Sequence, residues 1–169
     1  AIALIAERLR AGNRTVLLAG HEIPAYGLEA RVLALVEKTG LPVASLFGGK
    51  ACYLEHLPQC IGAYQGAGSD PVVREFVEGA DTVLFLGAVP SDFNLGGNTA
   101  RLRSDQRVHA FDGRVWTAGT ALTDVPIVDL VDGLLAALPP DAGRVQDLPA
   151  ATFAHVPERD YVPADGTPI

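Results

Sequence analysis

The sequence has no methionine, only two cysteines and fewer basic than acidic residues, and each shortage restricts what the protein can be. Two cysteines are too few for a disulfide scaffold, so we expect Cys52 and Cys60 to be reduced thiols. With 13 basic and 20 acidic residues, the formal net charge of -7 repels the phosphates of nucleic acid. A chain that begins at Ala1 and lacks methionine is expected to be a piece of a longer polypeptide.

Long apolar runs are also missing. None approaches the ~20 residues that cross a bilayer, and the N-terminus has no basic, apolar, small-residue signal pattern. We therefore expect a cytoplasmic protein with neither a membrane nor a nucleic-acid partner.

Apolar segments of two kinds alternate along the 169 residues, which is a length typical of one domain. Short continuous apolar runs predict strands that are buried on both faces, and longer runs with helical spacing predict helices between them. The expected fold is α/β, a single domain with a three-layer α/β/α Rossmann-like parallel sheet of about six strands. Strands are predicted over 15–19, 43–47, 61–64, 82–86 and 108–111, and helices over 1–11, 26–38, 71–78 and 127–138.

The helix that begins at Pro71 has both a start and a stop signal, because Asp70 can cap its first turn and Gly79 can end it. Its valines and phenylalanine are predicted to face inward, namely Val72, Val73, Phe76 and Val77. The preceding turn, 66–68, could hold an anion at the helix N-terminus. The Asp70 carboxylate would occupy the same amides and repel a phosphate, so a positioning turn is favoured.

Two further motifs suggest chemistry, and a structural interpretation is preferred for both. The Gly48-Gly49-Lys50 turn lacks the Gly and Ser/Thr positions of a phosphate-binding loop. Cys52, His56 and Cys60 are spaced by four like zinc ligands on a helix, but Pro58 breaks that helix and no fourth ligand is evident, so no metal site is predicted.

Acidic residues follow two of the predicted strands, where ligands bind in parallel sheets. Asp92 and Asn94 could contact a ligand, yet Asx residues also form turns, which we prefer. Asp112 could meet a ribose, but without a dinucleotide glycine fingerprint an Asp-Gly turn is favoured. A hydrolase using Asp92 or one of the histidines, His21, His109 or His155, stays open without a motif to support it.

Several segments, in order, resemble the central domain of thiamine-diphosphate enzymes of the pyruvate and indolepyruvate decarboxylase type. They are 15–21, 38–43, 48–50, 61–66, 79–87 and, most specifically, Ser91-Asp-Phe-Asn-Leu-Gly-Gly97. The resemblance covers about residues 1–138, the expected central domain. The proline-rich residues 139–169 are expected to be an extended linker toward a missing C-terminal domain.

The resemblance implies a non-catalytic, structural or regulatory domain that spaces the two cofactor-binding domains of a 2-oxo acid decarboxylase. Its partners would be the pyrimidine-binding and diphosphate-binding domains of the same polypeptide, in a homo-oligomer. Thiamine diphosphate and Mg²⁺ would belong to that parent, because Phe111-Asp112-Gly113 and Ala164-Asp165-Gly166 both lack the first glycine of the metal-binding Gly-Asp-Gly motif. No catalytic, cofactor-binding or metal residue is therefore assigned to this chain.

Some relatives of this family bind FAD or an adenine nucleotide such as ADP in the same domain. Their contact positions would correspond to Gly20, Gly87 and Asp112. A nucleotide-binding central domain is therefore the alternative expectation.

Overall fold

The structure is a computed structural model that describes residues 1–50, 53–117 and 119–149. The described residues form seven strands and five α-helices. The helices are α1 (Ile2–Ala11), α2 (Glu22–Ala25), α3 (Glu29–Thr39), α4 (Pro71–Glu78) and α5 (Ile127–Ala137). The strands are β1 (Thr15–Ala19), β2 (Val43–Leu46), β3 (Cys60–Tyr64), β4 (Thr82–Leu86), β5 (Arg107–Phe111), β6 (Arg114–Thr117) and β7 (Thr120–Leu122).

All seven strands form one sheet, in the order β3-β2-β1-β4-β5-β6-β7. The first five of these are parallel to their neighbours, as predicted for an α/β fold. The last two are antiparallel, which makes the sheet mixed and one strand larger than expected. The α/β prediction is confirmed, whereas the prediction of about six strands in a parallel sheet is corrected at this edge.

The antiparallel edge was missed because its strands are short and half-exposed. β6 has one buried residue, Val115, and β7 has none, so neither forms the continuous apolar run that marks a buried strand. The Asp112-Gly113 pair that joins β5 to β6 is the sequence signal for a two-residue hairpin. Both residues have positive φ, 52° and 66°, as the tight hairpin turn requires.

Helices cover the two faces of the sheet, as the three-layer prediction requires. Alternate side chains of β1 enter opposite cores: Leu17 packs with residues of α1, α3 and α5, and Leu18 packs with residues of α4. Both side chains are fully buried. One face thus carries α1, α3, α5 and the short α2, whose Ile23 joins the same core, and the other carries α4 with the loop that follows β4.

α4 begins and ends as its sequence predicts. The Asp70 carboxylate accepts a hydrogen bond of 2.9 Å from the Val72 amide, and Pro71 is the first helical residue. Val73, Phe76 and Val77 are buried, but Val72 is 57% exposed, which corrects the prediction that it faces inward. On an eight-residue helix, the 3.6-residue period brings only the 73/76/77 stripe to the core.

Residues 139–149, the first part of the predicted linker, lie against the domain. The Asp141 and Gly143 amides donate to the carbonyls of Lys38 and Thr39 at 2.9 and 2.8 Å, and Leu148 packs against the core under α4. The rest of the predicted linker lies outside the described residues, so its extended character stays a prediction.

None of the helices in the described ranges combines the length and apolarity that a membrane span requires.

Candidate functional site

The candidate site lies at the carboxyl ends of β1 and β4. β2 and β3 lie on one side of β1 while β4 and β5 lie on the other, so the crossovers leave this point in opposite directions. A crevice opens at such a switch point in parallel sheets and commonly binds ligands. Gly20 follows β1, Gly87 follows β4 and Asp112 follows β5, so the three positions of the nucleotide alternative lie at this one edge.

Gly20 is packed directly against the end of the neighbouring strand. Its amide donates to the Leu86 carbonyl at 2.9 Å, and a Cβ added at Gly20 would overlap the Gly87 carbonyl oxygen. Gly87 has φ +67°, and a Cβ there would lie 2.9 Å from the Glu22 Cβ and 3.0 Å from the Ile127 Cδ1. The two glycines therefore allow the chain's own elements to close together, and they leave little space between them.

Asp112 uses its backbone rather than its carboxylate at this site. It occupies the turn between β5 and β6, and its amide donates a 3.1 Å hydrogen bond to Glu22 Oε1. The Asp-Gly turn predicted at this position is therefore present. The Asp112 amide therefore already has a hydrogen-bond acceptor and is not available to bind an anion.

Glu22, the first residue of α2, is the residue at this edge that sequence reasoning missed. Only 7% of it is exposed, and Oε2 is buried without a hydrogen-bond partner among the described residues. Burial raises the pKa of its carboxyl group, opposed by the Asp112 amide and by His21, while the Asp112 charge adds to the rise. No motif marks this position, since a Glu after a strand is usually solvated.

Substituting Glu22 with glutamine is expected to stabilise the domain at neutral pH. Because the folded-state pKa lies above the ordinary 4.5, the stabilising contribution of the protonated group is complete below pH 4.5 and is lost as pH rises through the folded pKa. At pH 7 the variant should therefore gain roughly 1 kcal/mol in the free energy of unfolding. Urea unfolding at pH 7 and pH 4 measures this, and a variant that is no more stable at pH 7 would contradict it.

The 91–97 loop is held in place by Asn94, whose side chain is 5% exposed. Its Nδ2 donates to the Val89 carbonyl at 2.8 Å, and its Oδ1 accepts from the Gly48 amide at 3.2 Å. The Asp92 carboxylate accepts from the Phe93 amide at 2.8 Å. Both side chains thus bond to the backbone of the chain itself, and Asn94 also ties this loop to the turn after β2.

The histidines and cysteines do not form a recognisable reactive centre in the part of the chain that the structure describes. His109 stacks on Phe85 with ring centroids 4.4 Å apart, and burial, aided by Arg107, lowers its pKa to about 4. Cys60 is a free, half-buried thiol whose pKa is raised by burial. Cys52 and His155 lie outside the described residues. The described residues contain no group of three or more His, Cys, Asp or Glu side chains placed to hold a metal.

Comparison with known protein families identifies the family of the chain. The family described as "Thiamine pyrophosphate enzyme, central domain" matches residues 2–138. The chain belongs to this family. The match contains all five helices and all seven strands, so the resemblance carried by the sequence segments is confirmed.

The curated relatives of this central domain include decarboxylases. The indole-3-pyruvate decarboxylase of Azospirillum brasilense is 33% identical over 132 residues, which are 78% of this chain and 24% of that protein. The pyruvate decarboxylase of Kluyveromyces marxianus is 27% identical over 165 residues, 98% of this chain and 29% of that protein. Pyruvate decarboxylase isozyme 2 of Saccharomyces cerevisiae is 29% identical over 166 residues, with the same two shares. The chain thus spans less than a third of the length of these relatives.

The residues that the structure describes do not fit the cofactor of the family. Binding of Mg²⁺ and diphosphate needs an Asp whose carboxylate is free to reach the metal beside a glycine that leaves room for the phosphates. Here Phe111 precedes Asp112, and the Asp112-Gly113 pair forms a hairpin turn held by the Glu22 carboxylate. The second Asp-Gly pair, at Asp165, lies outside the described residues. No step of thiamine chemistry is derived from this chain.

Proposed function

We propose that this central domain is a non-catalytic structural and regulatory element of a thiamine-diphosphate-dependent 2-oxo acid decarboxylase. It spaces a pyrimidine-binding domain from a diphosphate-binding domain of the same polypeptide. The parent binds thiamine diphosphate and Mg²⁺, acts on a 2-oxo acid, and works as a cytoplasmic homo-oligomer. The names of the relatives and the share of their length that the chain spans support this assignment.

The observation that carries the proposal is the closed crevice at the switch point. The position where a parallel α/β domain would usually hold a ligand is occupied by the contact of Gly20 with Gly87 and by the buried Glu22 side chain. A domain that fills this crevice with its own chain is suited to holding its neighbours at a fixed separation.

The alternative, an FAD or adenine-nucleotide site, is supported by the position of Gly20, Gly87 and Asp112 at one edge. Two features weigh against it. Glu22 and Asp112 would place negative charge near a pyrophosphate, and the Asp112 amide already donates to Glu22. Because of these contacts, we prefer the spacer role to the nucleotide site.

Calorimetric titration of the purified chain distinguishes the two hypotheses. FAD, ADP and thiamine diphosphate with Mg²⁺ are titrated in turn, and decarboxylation of pyruvate, indolepyruvate and phenylpyruvate is assayed with the same sample. The spacer role predicts no saturable heat and no turnover. FAD or ADP binding that is lost in Asp112→Ala would establish the alternative. Thiamine diphosphate binding, or turnover by the chain alone, would overturn the assignment.

A further inference from the structure

A concavity opens between the carboxyl ends of β2 and β3, away from the switch point. Its volume is about 360 Å³, which is within the ~300–1,000 Å³ range of small-molecule sites. The part of its lining that the structure describes comes from the end of β2, the turn after it, the segment before β3, and β3 itself. No contact of the closed crevice involves these residues.

The walls of this cavity are mainly apolar. Ala63 of β3 pairs with Ser45 of β2 in the sheet and is exposed on the cavity wall, whereas Leu46 is fully buried and packs in the core under α4. Phe47 is 59% exposed and packs edge-to-face on Phe93, with ring centroids 4.8 Å apart, which fixes its ring as a wall. An apolar side chain of a small ligand would gain contact area here that water does not provide.

Three polar side chains border the same space, and none of them forms a hydrogen bond or ion pair with another residue that the structure describes. Ser45 is 7% exposed, and its hydroxyl makes no hydrogen bond to a described residue. Lys50 and Glu55 also lie on the lining, and within residues 1–50, 53–117 and 119–149 neither forms a hydrogen bond or an ion pair. One positive charge, one negative charge and one hydroxyl are thus available beside an apolar wall.

We propose that this cavity binds a free α-amino acid with an apolar side chain. Lys50 would take the ligand carboxylate, Glu55 would take its ammonium group, and Ser45 would supply a further hydrogen bond to the carboxylate. The ligand side chain would lie against Phe47 and Ala63. A zwitterion complements this lining better than a simple anion or cation, because each single charge would leave the opposite protein charge facing it. The proposal does not depend on the spacer role.

Three ligands with the same apolar body test the charge requirement. L-leucine carries both charged groups, 4-methyl-2-oxopentanoate lacks the ammonium group, and 3-methylbutylamine lacks the carboxylate. Titration calorimetry on the whole 169-residue chain should give leucine at least about tenfold tighter binding than either analogue, as the loss of a charge-assisted hydrogen bond predicts. Equal binding of the oxo acid, or no saturable heat from leucine up to about 10 mM, would overturn the proposal.

Substitutions in the lining test whether the ligand binds in this cavity. Glu55→Gln should weaken leucine binding by about tenfold or more without weakening the binding of 4-methyl-2-oxopentanoate, which has no ammonium group, and Lys50→Met should weaken both. Ala63→Leu should block binding by filling the cavity. Glu37→Gln removes an exposed carboxylate from α3, outside the cavity, and should bind leucine like the parent chain. Unchanged melting temperatures exclude misfolding, and leucine affinity that survives all three cavity substitutions would refute this location. A negative result here leaves the titrations with FAD, ADP and thiamine diphosphate unaffected.

Discussion

Replacing Leu84 with aspartate is expected to unfold the domain. Leu84 lies in the middle of β4, fully buried, between Leu17 of β1 and Val108 of β5. Its side chain joins the core under α1, α3 and α5, where a carboxylate would find no solvent. The cost should be about 5 kcal/mol or more, which is comparable with the whole stability of a small domain.

A matched substitution on the surface shows whether burial is the cause. Val72→Asp also replaces an aliphatic residue with aspartate, but Val72 is 57% exposed in the first turn of α4, where a negative charge suits the helix dipole. Its free energy of unfolding should stay within about 0.5 kcal/mol of the parent. Circular dichroism melts of the two variants give the comparison. Cooperative melting of Leu84→Asp near the parental temperature would refute the central position of β4.

Gly20→Ala is expected to destabilise the domain by about 3 kcal/mol, although it adds only one methyl group. That methyl group would overlap the Gly87 carbonyl oxygen and contact Ala88, and neither backbone can move away without separating β1 from β4. The cause is steric, since Gly20 is not among the residues with positive φ. Urea unfolding of the variant measures the loss.

Gly68→Ala provides the control for this effect. The nearest atom to an added Cβ at Gly68 is the Gln65 Oε1, 3.2 Å away at the end of a flexible side chain. This substitution should change stability by less than about 1 kcal/mol. If the two alanine variants were equally stable, the close contact at the switch point would be disproved.

The parallel part of the fold could be predicted because its signals are local. β1 and β4 are continuous apolar runs, and both are buried at every position. β6 and β7 could not be predicted in this way, because an exposed edge strand needs few apolar residues. α3 begins at Glu29 rather than at Tyr26 because Gly27, at φ +63°, turns the chain just before it. Helix starts thus depend on backbone conformations that apolar spacing does not reveal.

The site was less accessible from sequence than the fold. The position of Gly20, Gly87 and Asp112 at one edge follows from strand order, and the family resemblance indicated these residues. The bond between the Glu22 carboxylate and the Asp112 amide joins the start of α2 to the distant turn between β5 and β6, and no periodicity encodes such a pair. The cavity near Lys50 is also not evident from sequence, because its lining combines residues of β2 and β3, which become neighbours only in the folded sheet.

The place of β1 in the sheet also sets the order in which the domain can be completed. β1 is the first strand in the chain, yet one of its two neighbours is β4, which begins only at Thr82. During synthesis, an apolar strand therefore leaves the ribosome long before its second edge can be covered. Because this pairing joins segments far apart in the chain, folding should be slower than in a helical domain of similar size. The contact that closes the switch point can thus form only once β4, which ends at Leu86, has been synthesised.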